Sequence, residues 1–153
     1  MKKLFSILLL ATALPALADR LPIPADAPAS YAEECASCHI AYPPQLLRPE
    51  DWQKLMGSLN RHFGSDATVD RKNHVEISAF LQRYAGRAER LGENADLPRI
   101  SQSRWFRREH GRLAAQQWSA PSVKSAANCE GCHPNAAAGS FSEREIRLPK
   151  VSK

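Results

Sequence analysis

All four cysteines of this chain stand in two pentapeptides of one form, Cys35-Ala36-Ser37-Cys38-His39 and Cys129-Glu130-Gly131-Cys132-His133. No other feature limits the fold so strongly. Two thiols three positions apart on a short helical turn can add to the two vinyl groups of one haem, and the imidazole that follows then lies under the iron. A pair of disulfides, a zinc site of four thiolates or a thioredoxin-like redox pair needs no histidine directly after the second cysteine. With 5 His in 153 residues, two such placements by chance have a probability of roughly 1 in 1,000, the cysteine pairs taken as given. The motifs therefore predict two covalently attached c-type haems, one on Cys35 and Cys38 and one on Cys129 and Cys132, with His39 and His133 as proximal iron ligands.

The start of the chain reads as an export signal. Lys2 and Lys3 precede an apolar run from Leu4 to Leu14, and Ala16-Leu17-Ala18 supplies the small residues of a cleavage site, so residues 1–18 are expected to be removed. No later segment approaches the ~20 apolar residues of a membrane helix, and the mature protein is expected to be soluble and exported. Its core is small, and two flat apolar macrocycles are expected to complete it. Without Lys2 and Lys3 the 21 basic residues fall to 19 against 16 acidic ones, leaving a net charge of +3. An exported chain with no basic-aromatic reading surface is not expected to bind nucleic acid.

Periodicity predicts a mainly α fold of two small lobes, one haem in each. The N-terminal lobe is expected over 19–85, a linker over 86–100 and the C-terminal lobe over 101–153. Residues 19–30, with Pro22, Pro24 and Pro28, read as an extended leader, loose at its start. Pro49 suits the first turn of a helix on which Trp52, Leu55, Met56, Leu59, His62 and Phe63 recur at helical spacing. A second helix is expected from about Asp70 to Tyr84, with Ile77, Phe80, Leu81 and Tyr84 as its buried stripe. A third is expected over about 103–118, capped by Ser101 or Ser103 and ended by Pro121, with Phe106, His110 and Leu113 on one face and Arg104, Arg107, Arg108 and Arg112 largely on the others. Ile146, Leu148 and Val151 alternate in an extended tail.

Each iron needs a sixth ligand if it is to carry electrons without binding substrate, and the usual donors are His nitrogen and Met sulfur. Met1 leaves with the signal, so Met56 is the one methionine left; His62, His74 and His110 are the histidines outside the motifs. His62 lies 23 residues after His39, and His110 lies 23 residues before His133. The expectation is two-histidine coordination at both irons, with His62 and His110 as distal ligands. His74, among charged residues at a helix start, and Met56, on a core stripe, are the weaker candidates. Which distal histidine serves which iron stays open at this level, as do the potentials and the haem-to-haem distance. Trp52, Phe63, Trp105, Phe106 and Trp118 are expected to pack around the macrocycles or against each other.

The compound pattern Cys-x-x-Cys-His-x-x-Tyr-Pro-Pro with Leu46-Leu47, then Trp52-x-x-Leu55-Met56-x-x-Leu59-x-x-His62-Phe63-Gly64-x-Asp66-Ala67, resembles the bacterial dihaem cytochrome c family. Arg99-Ile100-Ser101, Trp105-Phe106, His110, Asn128-Cys129-x-x-Cys132-His133 and Gly139-x-Phe141-x-Glu143 are similar to the rest of its pattern. The resemblance covers about residues 31–150. It implies a two-lobed periplasmic electron carrier with His62 and His110 at the distal positions. It also implies partners: a small high-spin c-type haem protein as electron acceptor and a membrane b-type cytochrome as donor. The expected function is thus electron transfer by one-electron cycling of each iron, with no substrate chemistry. The alternatives are a small dihaem peroxidase or nitrogen-oxide reductase, which needs one iron with an open site, and a redox subunit of a larger complex.

Overall fold

Helices begin in this chain where a proline or a capping side chain fixes the entry, and two of them stop at glycines earlier than the apolar periodicity suggests. The computed structural model describes residues 20–87 and 96–150. The export signal expected at 1–18, the middle of the linker expected at 86–100 and Val151 lie outside them. Helix α1 (Ala29–Cys35) starts after Pro28 and ends on the first cysteine. Helix α2 (Pro49–Met56) has Pro49 in its first position, and Glu50 and Asp51 in its first turn face the positive end of the helix dipole. Helix α3 (Arg71–Tyr84) is capped by Asp70, whose carboxylate accepts from the Asn73 amide at 3.0 Å.

These three helices enclose the main core. Tyr31 from α1, Trp52, Leu55 and Met56 from α2, and Ile77, Phe80 and Leu81 from α3 are buried together with Leu47. Just ahead of α2, Arg48 reaches Asp51 by two hydrogen bonds of 2.7 and 2.9 Å in a buried ion pair. The Trp52 indole donates to the Pro44 carbonyl at 2.7 Å, which satisfies its one polar atom inside the core.

Two expected helices are shorter than their apolar stripes. Helix α2 ends at Met56 because Gly57 caps it, and a single 3-10 turn, Leu59–Arg61, follows. His62 therefore lies in a loop and not on a helix face. Phe63 at φ +51° and Gly64 at φ +99° leave the helical region altogether. The helix expected over 103–118 is divided by Gly111 into α4 (Arg104–His110) and α5 (Ala115–Trp118). Ser103 caps α4 as expected, its hydroxyl accepting from the Phe106 amide at 3.1 Å.

After Pro121 the chain has no further α-helix among the described residues and is held by single hydrogen bonds from side chains and backbone. The Asn128 amide group donates to the Ser122 and Val123 carbonyls at 3.2 and 3.1 Å, which folds the loop onto the second haem motif. The Glu145 carboxylate accepts from the Ser140 hydroxyl at 2.8 Å and the Asn135 amide at 3.1 Å. The Arg147 amide donates to the Cys132 carbonyl at 2.9 Å. The described residues hold no β-strand, only isolated bridges at Arg20–Ser140 and His62–Ser65, so the fold is mainly α as expected. None of the described helices is long and apolar enough to cross a membrane.

The segment expected as a loose leader is fastened instead. The Leu21 amide donates to the Gly139 carbonyl at 2.8 Å. Gly139 is left-handed, with φ +72°, and a Cβ there would meet the Leu21 carbonyl oxygen at 2.4 Å. Gly139→Ala is therefore expected to lower stability by ~1–3 kcal/mol and to free the strap at residues 20–22. Thermal melts and limited proteolysis of the holoprotein check this, and unchanged melting with an uncut strap would count against it.

Candidate functional site

The four histidines expected at the irons come together as two pairs. The His39 and His62 rings face each other with centroids 6.2 Å apart and planes 38° from parallel. The His110 and His133 rings are 6.1 Å apart, with their planes at 73°. An imidazole nitrogen binds a transition metal at ~2.0 Å and lies roughly 1.1 Å from its ring centroid, so two imidazoles on opposite sides of one ion have centroids about 6.2 Å apart. Both gaps fit one iron between two nitrogens. Each pair joins a motif histidine to the distal candidate of its own half of the chain.

In each pair one ring is anchored through its other nitrogen. The His39 Nδ1 lies 2.7 Å from the Ile40 carbonyl, and the His110 Nδ1 lies 3.0 Å from the Phe106 carbonyl. A carbonyl can only accept, so in both rings Nδ1 carries the proton and Nε2 keeps its lone pair for a metal. The opposing rings, His62 and His133, each bury an Nδ1 that has no hydrogen-bond partner. Such an unpaired polar atom is costly in a ring that merely fills a core. Burial pushes both of these histidines below the usual imidazole range; His39 and Arg99 add to the effect at His62, and His110 adds to it at His133. Neutral imidazole is the form that binds a metal.

Local structure explains how each ring is delivered. His39 follows the turn that ends α1, and Pro43 and Pro44 stop any continuation. His62 is set by the turn through Phe63 and Gly64, over which the Arg99 guanidinium covers the Phe63 ring at 3.9 Å. His110 is the last residue of α4, and its ring stacks on Phe106 at 4.0 Å and 12°. Trp118 lies 5.9 Å from the His110 centroid, and Phe141 meets His133 edge-on at 5.5 Å. Of the aromatic residues singled out from the sequence, Phe63, Phe106 and Trp118 thus lie beside a histidine, while Trp52 belongs to the core.

The two weaker candidates have other partners. The His74 Nε2 donates to the Met56 carbonyl at 3.0 Å, and the Met56 side chain is buried in the main core. Neither belongs to a histidine pair.

The cysteines do not suit the alternative chemistries. Among the described residues no three of His, Cys, Asp and Glu gather into the cage that a four-thiolate zinc site needs. Burial pushes the Cys35 thiol up to about 11, with Glu34 adding to it, and burial likewise pushes Cys129 up to about 11. A redox dithiol requires the opposite shift.

Two cavities border the haem motifs, and one of them is large. A cavity of about 870 Å³ is lined by Ile23, Ala32, Cys38 and His39 on one side and by Ala127 and Cys129 on the other. A second, much smaller and more enclosed cleft of about 40 Å³ is lined by Phe106, His110, Trp118, Cys132 and His133, and Cys129 borders it too. The second haem motif is therefore a wall common to both. Sequence reasoning missed Tyr42 and Phe141 as site residues; each had been noted only as a letter in a compound motif, with no role.

The family profile of dihaem cytochrome c matches residues 31–141, which span both motifs and both histidine pairs. The chain belongs to the dihaem cytochrome c family. As a member it is an electron-transfer haem protein with two c-type haems, and Cys35, Cys38, Cys129 and Cys132 have the spacing that covalent attachment needs. Solved structures agree with the assignment. This dihaem cytochrome is similar to the new dihaem cytochrome c of Shewanella baltica OS155, at 30% identity and a TM-score of 0.70 over 81% of this chain and 94% of that one. It is also similar to the dihaem cytochrome c of Rhodobacter sphaeroides, at 36% identity and a TM-score of 0.65 over 73% of this chain and 94% of that one. A second structure, of DHC purified from Rhodobacter sphaeroides, gives 33% identity and a TM-score of 0.64 over 73% and 95% of the two chains. No curated protein matches the sequence.

Proposed function

We propose that this dihaem cytochrome is an exported, periplasmic electron carrier in which each iron sits between two histidines, His39 with His62 and His110 with His133. The observation that carries the reading is the pair of facing rings, at 6.2 and 6.1 Å, in the two halves of the chain. Haem iron supplies one-electron cycling between ferrous and ferric states. The chain's part would be to offer His39 with His62 and His110 with His133 as ligands of the two irons, with the His39 and His110 rings held by the Ile40 and Phe106 carbonyls. A peroxidase or nitrogen-oxide reductase needs an open position, and four paired imidazoles leave none. The test is a paramagnetic-resonance and optical spectrum of the purified holoprotein. Two low-spin ferric signals without a near-infrared methionine-to-iron band are expected; a native high-spin signal would overturn the reading.

The export signal expected at 1–18 supports the periplasmic address, and the family resemblance supports a small high-spin c-type haem protein as acceptor and a membrane b-type cytochrome as donor. A docking surface follows from charge. Arg104, Arg107, Arg108 and Arg112 are all exposed on and just after α4, whose last residue is His110. Arg108 is bonded to Glu109 at 2.9 and 2.7 Å, and the segment 104–112 carries four arginines against this one carboxylate. Such charge raises association rates with an acidic surface and is screened beyond ~8 Å at physiological salt. Replacing Arg107 and Arg108 by Glu is expected to slow electron transfer to the acceptor at low ionic strength, with the difference shrinking as salt is added. An unchanged rate and salt slope, with both haems intact, would show the cluster to be only a solvated face.

A further inference from the structure

Tyr42 touches both haem sites. Its ring lies on the His39 imidazole with centroids 4.5 Å apart and planes 25° from parallel. Its phenolic O–H donates to the Ala127 carbonyl at 2.5 Å, two residues ahead of Cys129. Its own carbonyl accepts from the hydroxyl of Tyr31 in the main core. Pro43, fully buried, follows directly and biases residue 42 away from helical backbone. The side chain is thus held at backbone, ring face and hydroxyl.

We infer that Tyr42 is a positioning residue through which the C-terminal haem turn fixes the ring plane of His39 in the N-terminal site. This rests on the reading of His39 as an iron ligand. An imidazole bound through one nitrogen can turn about that bond. The Ile40 carbonyl holds one edge of the His39 ring, and a stacked partner resists the turning motion of its plane. A stacked ring resists only if it cannot rock itself, and the hydrogen bond to Ala127 anchors it at the far end. The stack also has an electronic consequence. An imidazole on ferric iron is more positive than one on ferrous iron, and the negative face of the Tyr42 ring favours the oxidised state.

Two variants of the holoprotein separate anchor from ring. His62→Ala first identifies the N-terminal haem, as the low-spin signal that this change abolishes. Tyr42→Phe keeps the stack and removes the anchor; it is expected to displace and broaden the largest g value of that signal and to leave the other haem's signal in place. Tyr42→Leu removes the stack as well, and is expected to enlarge the displacement and raise the N-terminal midpoint potential while the C-terminal one stays. A Tyr42→Phe spectrum superimposable on the wild type, with only the melting temperature lowered, would overturn the inference and make Tyr42 a clasp between the halves. A wild-type protein without a low-spin N-terminal haem would overturn the two-histidine reading and this inference with it. The two failures are therefore distinguishable.

Discussion

Alanine at His62 is expected to convert one iron from low to high spin and open it to carbon monoxide, and alanine at His110 is expected to do the same to the other. Each substitution removes one member of a facing pair, and no described side chain stands ready to replace it: His74 is bonded to the Met56 carbonyl and Met56 is locked in the core. Met56→Leu and His74→Ala are accordingly expected to leave both irons low spin. The surviving haem should differ between the two histidine variants. When two axial rings are close to parallel they act on the same iron d orbital and split it from its neighbour; when they are close to perpendicular they act on both alike, and the unpaired electron keeps more orbital momentum. The His110–His133 planes stand at 73° and the His39–His62 planes at 38°. The His62→Ala protein should thus retain the signal with the larger g anisotropy, and the His110→Ala protein the smaller one. Low-spin iron throughout in either variant, or carbon monoxide binding after Met56→Leu, would refute the ligand assignment.

The attachment motifs were legible because their chemistry is local: five consecutive residues carry it, whatever the fold around them. The main core was legible for a related reason, since Ile77, Phe80 and Leu81 repeat at helical spacing between the Asp70 cap and the end of α3. The ends of the helices were not. The apolar stripe from Trp52 to Phe63 continues through Gly57, and spacing alone does not show that the glycine closes α2 and that Phe63 and Gly64 then take positive φ. His62, expected on a helix face, lies opposite His39 on a turn instead. The same holds at Gly111, which divides the third expected helix and makes His110 a terminal residue. Pairing of the rings was beyond the sequence, because it depends on how separate segments fold back on each other. Tyr42 was missed although Pro43-Pro44 marked its backbone as fixed, since its hydrogen-bond partner lies 85 positions away.

Removing the two attachment sites is expected to have unequal effects on folding. Of the 14 buried hydrophobic side chains of the described residues, 10 lie at or before Leu81, and two of the remaining four are Ala120 and Ala136. The N-terminal half therefore has a protein core of its own between α1, α2 and α3. The C-terminal half has short helices, loops pinned by single hydrogen bonds and little to bury except what packs around its haem, so it depends on the cofactor as small metal-stapled domains depend on theirs. Across the halves run bonds such as Leu21 to Gly139 and Tyr42 to Ala127, each contributing about 1 kcal/mol net, and we propose that the halves are separate folding units. Cys129→Ala with Cys132→Ala is expected to remove one haem and unfold residues from about 101 onward, while 29–84 keep theirs and their structure. Cys35→Ala with Cys38→Ala is expected to remove the other haem and loosen α1, with α2 and α3 largely retained and the C-terminal haem in place. Haem counting together with amide hydrogen exchange reads both outcomes: protection should vanish across 101–150 in the first variant and persist there in the second. Loss of both haems from either double variant, with protection lost along the whole chain, would mean a single folding unit and would place no boundary at 86–100.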